Sequence, residues 1–182
     1  MKNSVDFTRG HQFGYMLLRH LISVLLCFII QFVFLIKLFE HNTIRIILGC
    51  LFSLIYGSAI YTGASKMGLN DAKSYTKMTV KPSYSMLWGI SIAVINILAF
   101  LVCNSLGAWD LTYSIVSQIV RFLSYILFSP YLTLFINASA MPLYVIVMMV
   151  VIPILFSYLG YIAGSKRFSI LEKIQSLTFE KD

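Results

Sequence analysis

Four apolar runs, each about as long as a bilayer is thick, constrain this chain more than any other feature. They cover residues 15–39, 44–63, 87–106 and 143–164. A helix needs roughly 20 apolar residues to cross the hydrocarbon core of a membrane. Hydrophobic residues make up 59% of the 182 residues and charged residues only 12%, whereas soluble domains carry about 25% charged residues. The sequence therefore predicts an all-α, polytopic transmembrane helix bundle that forms a single transmembrane domain.

The stretch 107–142 is also apolar, but it contains several polar residues and is interrupted by Pro130. Basic residues collect on the cytoplasmic side of membrane proteins. If this stretch crossed the membrane once, the basic segment 65–85 and the basic tail 165–182 would lie on opposite sides. If it makes no net crossing, 11 of the 14 Lys and Arg residues lie on one side. We therefore expect four full spans plus a re-entrant or interfacial helical hairpin at about 108–141, which gives six helical segments.

The sequence leaves open whether both arms of this hairpin dip into the membrane or whether the first arm crosses it fully. The second arm, 131–141, has 11 residues, which are too few for a span at a rise of about 1.5 Å per residue. In the first arm, helical spacing places four polar residues on one stripe opposite an apolar face. The stripe is a candidate functional site because an intramembrane arginine is a functional hypothesis, and lipid contact or a structural ion pair are the alternatives. Its residues are Asp110, Ser114, Gln118 and Arg121.

Three more polar residues, His20, Gln31 and Asn96, lie inside predicted spans. His20 and Gln31 share one face of the first helix, and Asn96 lies midway along the third. We expect these residues to hydrogen-bond between helices or, in a transporter, to line a cavity. Small residues recur every four positions in two spans, which favours close helix packing. They are Gly49, Ser53 and Gly57 in the second span and Gly160 and Gly164 in the last.

The polar segments are expected on the cytoplasmic side of the membrane. The longest, 65–85, carries four lysines and a predicted turn at Gly68–Asp71. The tail 165–182 has apolar residues at helical spacing among basic ones, which predicts either a short amphipathic helix on the membrane surface or a frayed end. These apolar residues are Phe168, Leu171, Ile174 and Leu177.

No catalytic motif occurs in the sequence. HExxH, GxSxG and P-loop patterns are missing, and no pair of carboxylates lies inside a span. The three cysteines, Cys27, Cys50 and Cys103, lack the close spacing of a metal site. We therefore expect no enzyme activity, no metal and no cofactor, and keep a small lipid-modifying enzyme that uses Arg121 as a third hypothesis. The net charge of +7 favours anionic lipids over nucleic acid as the partner.

Two groups of residues, over about half of the chain, carry a resemblance to a known group of proteins. One group closes the second span and opens the third, and the other ends the last span. They are Tyr56-Gly57, Tyr61, Gly68, Asn70-Asp71, Tyr84 and Gly89, and then Gly160-Tyr161, Gly164 and the segment 169–173. The pattern is similar to a group of small uncharacterised integral membrane proteins of Gram-positive bacteria. The resemblance implies the membrane class and transfers no functional residue.

These features favour a non-enzymatic bacterial integral membrane protein that is an accessory or interaction subunit of a membrane complex. Its contact surfaces would be the segment 65–85 and the tail. The alternative is a small-molecule binding or transport component, such as the substrate-capture subunit of a vitamin transporter. The expected location is the bacterial cytoplasmic (inner) membrane, with both termini in the cytoplasm. The expected partners are anionic lipids and another membrane subunit.

Overall fold

The described part of the chain is helical and contains no strand. The computed structural model describes residues 9–34, 42–73, 79–106, 115–135 and 141–179. Six α-helices lie in these ranges, which confirms the all-α prediction. They are α1 (Arg9–Phe34), α2 (Asn42–Asp71), α3 (Pro82–Ser105), α4 (Ile115–Leu127), α5 (Leu132–Phe135) and α6 (Leu143–Phe179), with a 3₁₀ turn at Ser129–Tyr131 before α5.

Four of these helices are long and apolar enough to cross a membrane. The stretches that meet these length and hydropathy requirements are Arg9–Phe32, Thr43–Asp71, Pro82–Ser105 and Leu143–Arg167. Each is between 24 and 29 residues long, which exceeds the roughly 20 residues that a span needs. Large apolar side chains on their outer faces are exposed, as expected where lipid covers the surface. The chain therefore has the architecture of a multi-pass membrane protein.

Contacts between helices fix their relative directions. Where α2 contacts α6, the residue numbers of the contacting pairs increase along both helices, so these two helices run parallel. Where α3 contacts α6, and where α1 contacts α2, the residue numbers increase along one helix and decrease along the other, so the helices of each pair run antiparallel. The contacts are Gly57–Phe156, Tyr61–Gly160 and Ser65–Gly164, then Lys81–Tyr161, Ser85–Ser157 and Gly89–Ile154, and finally Arg9–Asp71, Arg19–Gly63 and His20–Tyr56.

These directions place the end of α3 and the start of α6 at the same end of the bundle. The chain between them therefore begins and ends on one side, whatever path it takes. Its described part bends by 79° where α4 meets the turn and α5. This geometry agrees with four spans and a hairpin that makes no net crossing, independently of the charge count that predicted them.

One expectation about the polar segments is wrong, and one of the two alternatives for the tail is excluded. The turn expected at Gly68–Asp71 does not form, because α2 continues through Asp71. Gly68 serves close packing instead, since a Cβ at this position would collide with the backbone oxygen of Tyr161. The tail is helical rather than frayed as far as Phe179, because α6 runs unbroken to that residue, and its location on the membrane surface stays a prediction.

The α2–α6 contact is the most extensive in the described bundle, and glycines make it possible. A Cβ on Gly160 would strike the carbonyl oxygen of Tyr61, and one on Gly164 would strike that of Ser65. The regularly spaced small residues of the second span pack against two different elements. Gly57 faces Phe156 of α6, whereas Gly49 faces Leu134 of the hairpin. Close approach of this kind gains van der Waals contact, which is the main attraction between helices in lipid.

Candidate functional site

The most deeply buried stretch of the described chain is the re-entrant segment, defined here as Phe128–Phe135. All of its residues except Leu134 are buried. Pro130 explains the break that precedes α5, because proline lacks an N–H and disfavours a helical residue before it. The 3₁₀ turn bridges the break, and the Tyr131 N–H donates to Phe128 O at 2.8 Å. The sequence thus drives an irregular backbone into the middle of the bundle.

Side chains from α1 and α2 hydrogen-bond the backbone oxygens at the break, including Ser129 O, which also accepts from the Leu132 N–H. Gln31 Nε2 donates to Ser129 O at 2.8 Å, and Ser53 Oγ donates to Pro130 O at 3.2 Å. Ser129 Oγ in turn donates to Val24 O at 2.6 Å. Irregular backbone at membrane depth is tolerated only where protein or a water-filled cavity satisfies it. Gln31, predicted as an intramembrane contact, therefore holds the re-entrant segment in place.

A second group of polar side chains, the central cluster, consists of His20, Tyr56, Asn96 and Tyr131. His20 Nδ1 lies 2.8 Å from Tyr56 Oη, and Asn96 hydrogen-bonds the same hydroxyl. The ring of Tyr131 packs edge-on against that of Tyr56, with centroids 6.0 Å apart. The two predicted polar residues His20 and Asn96 thus meet on a tyrosine that sequence reasoning missed, because a tyrosine in a span carries no distinctive pattern.

Three buried polar atoms near these groups have no hydrogen-bond partner within the described residues. They are the hydroxyls of Tyr131 and Thr133 and the amide oxygen Oε1 of Gln31. Each of the three residues is at most 2% exposed. Most buried polar groups in native proteins are hydrogen-bonded, so each exception requires an explanation. The re-entrant segment therefore retains unused hydrogen-bonding capacity at membrane depth.

The predicted polar stripe of the hairpin is described only in part. Asp110 and Ser114 lie outside the described residues. Gln118 is exposed on α4, and Arg121 is half-buried. The residues that α4 turns into the bundle are instead Ser117, Val120 and Ser124. Its outer face is strongly apolar and exposed, consisting of Ile115, Val116, Ile119, Phe122, Leu123 and Leu127.

Sequence reasoning missed a further polar group, the Asp71 cluster of Arg9, Gln12, Asp71 and Tyr161. The Asp71 carboxylate is buried and accepts three hydrogen bonds. Arg9 Nη1 donates to Oδ2 at 2.5 Å, Gln12 Nε2 to Oδ1 at 2.5 Å and Tyr161 Oη to Oδ2 at 2.7 Å. Its signal in the sequence is that Asp71 is the only acidic residue between Glu40 and Asp110.

The Asp71 cluster also fixes the start of α3. Arg9 Nη2 donates to Thr79 O at 2.8 Å, and its guanidinium lies 4.5 Å from the centre of the Tyr84 ring. The Lys81 N–H donates to Tyr161 Oη at 3.3 Å. The cluster therefore ties all four spanning helices together at one end. We call this end the basic end, because it also carries Lys66, Lys73, Lys81, Lys166 and Arg167.

The described residues contain no group of three His, Cys, Asp or Glu side chains that could hold a metal ion. Chemically, the Asp71 cluster is a neutralised ion pair, and the central cluster is a set of uncharged donors and acceptors. Neither arrangement places a nucleophile beside a base in a cleft, the geometry that nucleophilic catalysis uses. Comparison with protein-family models, curated proteins and solved structures gives no match.

Proposed function

We propose that this chain is a non-enzymatic accessory or interaction subunit of a membrane protein complex. The observation that carries the proposal is the length of α6. This helix has 37 residues, or about 55 Å at 1.5 Å per residue, whereas the hydrocarbon core is only about 30 Å thick. About 25 Å of helix therefore extends beyond the membrane core, continuous with a helix that is packed firmly into the bundle.

The sequence of this extension suits helix pairing. Ile170, Ile174 and Leu177 recur with a spacing of four and then three residues. In a helix this spacing places apolar residues along one side, which is the pattern that pairs helices. A partner that docked there would be coupled rigidly to the membrane bundle through α6.

The test is co-purification of the full chain from native membranes in a mild detergent, followed by quantitative mass spectrometry. The triple variant Ile170→Ser, Ile174→Ser, Leu177→Ser should lose a stoichiometric partner that the native chain retains. The matched control, Ser169→Ala, Lys173→Ala, Ser176→Ala, changes the same number of positions on the neighbouring polar side of the helix, about 100° away, and should retain it. If the native chain is recovered alone in every gentle condition, the proposal fails.

We further infer that the membrane is the cytoplasmic membrane of a bacterium and that both termini face the cytoplasm. The support is the gathering of basic residues at the basic end, where α1 begins and the extension of α6 leaves the bundle. Positively charged residues are retained on the cytoplasmic side. A fluorescent reporter fused to the C-terminus should be active, whereas alkaline phosphatase at the same place should be inactive. The opposite pair of results would reverse the orientation.

A second candidate function is that of a small-molecule binding or transport component. It is favoured by the re-entrant segment and the three nearby polar atoms, on Gln31, Tyr131 and Thr133, that have no hydrogen-bond partner among the described residues. The predicted cavity-lining residues His20 and Asn96, however, are engaged with Tyr56, and Gln31 bonds the backbone of Ser129. Thermal stabilisation by vitamins or similar solutes, lost in the variant Thr133→Val, would favour this second function over the first.

A further inference from the structure

An open groove runs along the outer face of α1 near the basic end. It has a volume of about 520 Å³ and is lined by Gly10, His11, Gly14, Tyr15 and Leu18. The two glycines form its floor, and no atom lies within 4 Å of the place where a Cβ of Gly14 would stand. The groove is therefore a concave surface of the monomer that no other part of the described chain fills.

The position of the groove relative to the membrane follows from the spacing of charges along the first helix. The 17 residues between Arg19 and Lys37 include no Asp, Glu, Lys or Arg, and they correspond to about 26 Å of helix. This length is close to the thickness of a hydrocarbon core, so Arg19 lies at its boundary. The groove, which lies on the N-terminal side of Arg19, is therefore at the depth of the lipid headgroups.

Arg19 borders the Tyr15 side of the groove, and a second cation, Lys66, lies on the adjacent helix α2. Arg19 Nε donates to Tyr15 Oη at 3.0 Å, and the guanidinium lies 5.3 Å from the centre of the Tyr15 ring. The stem of Arg19 crosses Gly63 of α2, with Cγ 3.4 Å from the position of a Cβ. Lys66 is exposed one helical step nearer the basic end, because residues three apart are neighbours on a helix surface.

Neither of these cations is paired with a carboxylate in the described part of the chain. The interactions of Arg19 are those with Tyr15, so its terminal nitrogens remain available to an anion. Arginine binds phosphate through two parallel hydrogen bonds, and lysine supplies a second positive charge. The pairing with Tyr15 orders the arginine beforehand, which reduces the entropy lost when a ligand binds.

An apolar path continues from the groove into the membrane. Leu18 lines the groove, and Leu21, Ile22 and Leu25 follow it along the same outer face of α1, all exposed by 46% or more. A ligand with a negatively charged head and a long apolar tail fits this sequence of surfaces. A transmembrane helix from a second copy would fit the glycine floor but would offer no charge to Arg19 and Lys66.

We infer that this groove is a binding site for one anionic phospholipid, with its phosphate between Arg19 and Lys66 and an acyl chain along Leu18 and Leu25. Basic pockets beside transmembrane helices recognise phospholipid headgroups in this way. The site is independent of the accessory role proposed above, because α6 and its extension contribute no residue to it.

Native mass spectrometry of the purified chain, titrated with phosphatidylglycerol or phosphatidylcholine of the same acyl chains, tests the site. Phosphatidylglycerol should bind about tenfold more tightly, and the double variant Arg19→Ala, Lys66→Ala should remove most of that preference. The single variant Gly14→Leu fills the groove without changing charge and should weaken lipid binding by a similar factor. The control Lys166→Ala, Arg167→Ala removes two exposed charges from the basic end on α6 and should change affinity by less than about twofold.

Three outcomes would overturn the assignment. Equal affinity for the two lipids would rule out recognition of the net negative headgroup charge, because phosphatidylcholine has the same phosphate balanced by a choline cation. An equal loss of phosphatidylglycerol affinity in the Lys166→Ala, Arg167→Ala control would show that binding depends on the net charge of the protein and not on this site. A native dimer that Gly14→Leu converts to monomer, with lipid binding unchanged, would assign the groove to a second copy. If the double variant fails to fold, Gly14→Leu still decides the question, because open space surrounds Gly14.

Discussion

The Asp71 cluster and the re-entrant segment differ in how completely their buried polar groups are hydrogen-bonded. Asp71 accepts three hydrogen bonds from α1 and α6, and its charge is balanced by Arg9. In the re-entrant segment the carbonyls of Ser129 and Pro130 accept hydrogen bonds from Gln31 and Ser53, but the hydroxyls of Tyr131 and Thr133 have no partner among the described residues. The carboxylate of Asp71 is hydrogen-bonded through both of its oxygens. The re-entrant segment, in contrast, still has hydroxyls that could form hydrogen bonds.

The difference indicates which part of the molecule is rigid and which can accommodate change. A fully satisfied buried network holds its elements in one arrangement, because any movement exposes an unpaired polar group. A region in which some polar groups are already unpaired loses fewer hydrogen bonds when it rearranges. The Asp71 cluster therefore fixes the basic end of the bundle, whereas the re-entrant segment, although held by Gln31 and Ser53, retains hydrogen-bonding groups that a bound molecule could use.

The largest effect is expected from breaking the ion pair. Arg9→Met leaves the Asp71 carboxylate, which is 2% exposed, without its counter-charge, and should lower the free energy of unfolding by about 3 kcal/mol. The double variant Arg9→Met, Asp71→Leu removes both charges and should cost less than Arg9→Met alone. Reversible unfolding in mixed micelles measures both. A cost below about 1 kcal/mol for Arg9→Met would show that the cluster does not fix the basic end.

The close crossing of α2 and α6 should give the next largest effect. Gly164→Ala places a methyl group against the backbone oxygen of Ser65, which cannot move without shifting α2, and should cost about 2 kcal/mol. The same change at Gly14, where nothing lies within 4 Å, should alter stability by less than about 0.5 kcal/mol. Equal effects at the two glycines would contradict the packing described for this end.

The smallest effect comes from a pair of identical changes in the central cluster. Tyr56→Phe removes a hydroxyl that bonds His20 and Asn96 and should cost about 1 kcal/mol. Tyr131→Phe removes a hydroxyl without a partner among the described residues and should be neutral or slightly stabilising. A larger loss for Tyr131→Phe would mean that its hydroxyl is bonded after all, and the contrast between the two regions would disappear.

The architecture of the bundle was predictable because it depends on local quantities. Run length and hydrophobicity predict the four spans, and the count of basic residues predicts that the stretch 107–142 makes no net crossing. The irregular backbone at Pro130 was also visible in the sequence. Each of these features is determined by the residues of one segment and by the bilayer around it.

The polar clusters were predicted less well because they depend on pairs far apart in the chain. Asp71 meets Arg9 across 62 positions and Tyr161 across 90, and no periodicity connects such pairs. The sequence instead predicts a turn at Asp71, since Asn-Asp pairs and glycine favour turns when no tertiary partner is known. His20 and Asn96 were identified as buried contacts, but Tyr56, which joins them, was not.

The most direct test of the central claim, four spans with a re-entrant hairpin, is cysteine labelling in intact cells. Ser105→Cys and Leu143→Cys mark the end of α3 and the start of α6, and Lys81→Cys marks the basic end, in a background with Cys27, Cys50 and Cys103 replaced by alanine. All three positions are exposed. The account predicts that a membrane-impermeant thiol reagent labels the first two from one side and Lys81→Cys only from the other. Labelling of Ser105→Cys and Leu143→Cys from opposite sides would contradict it.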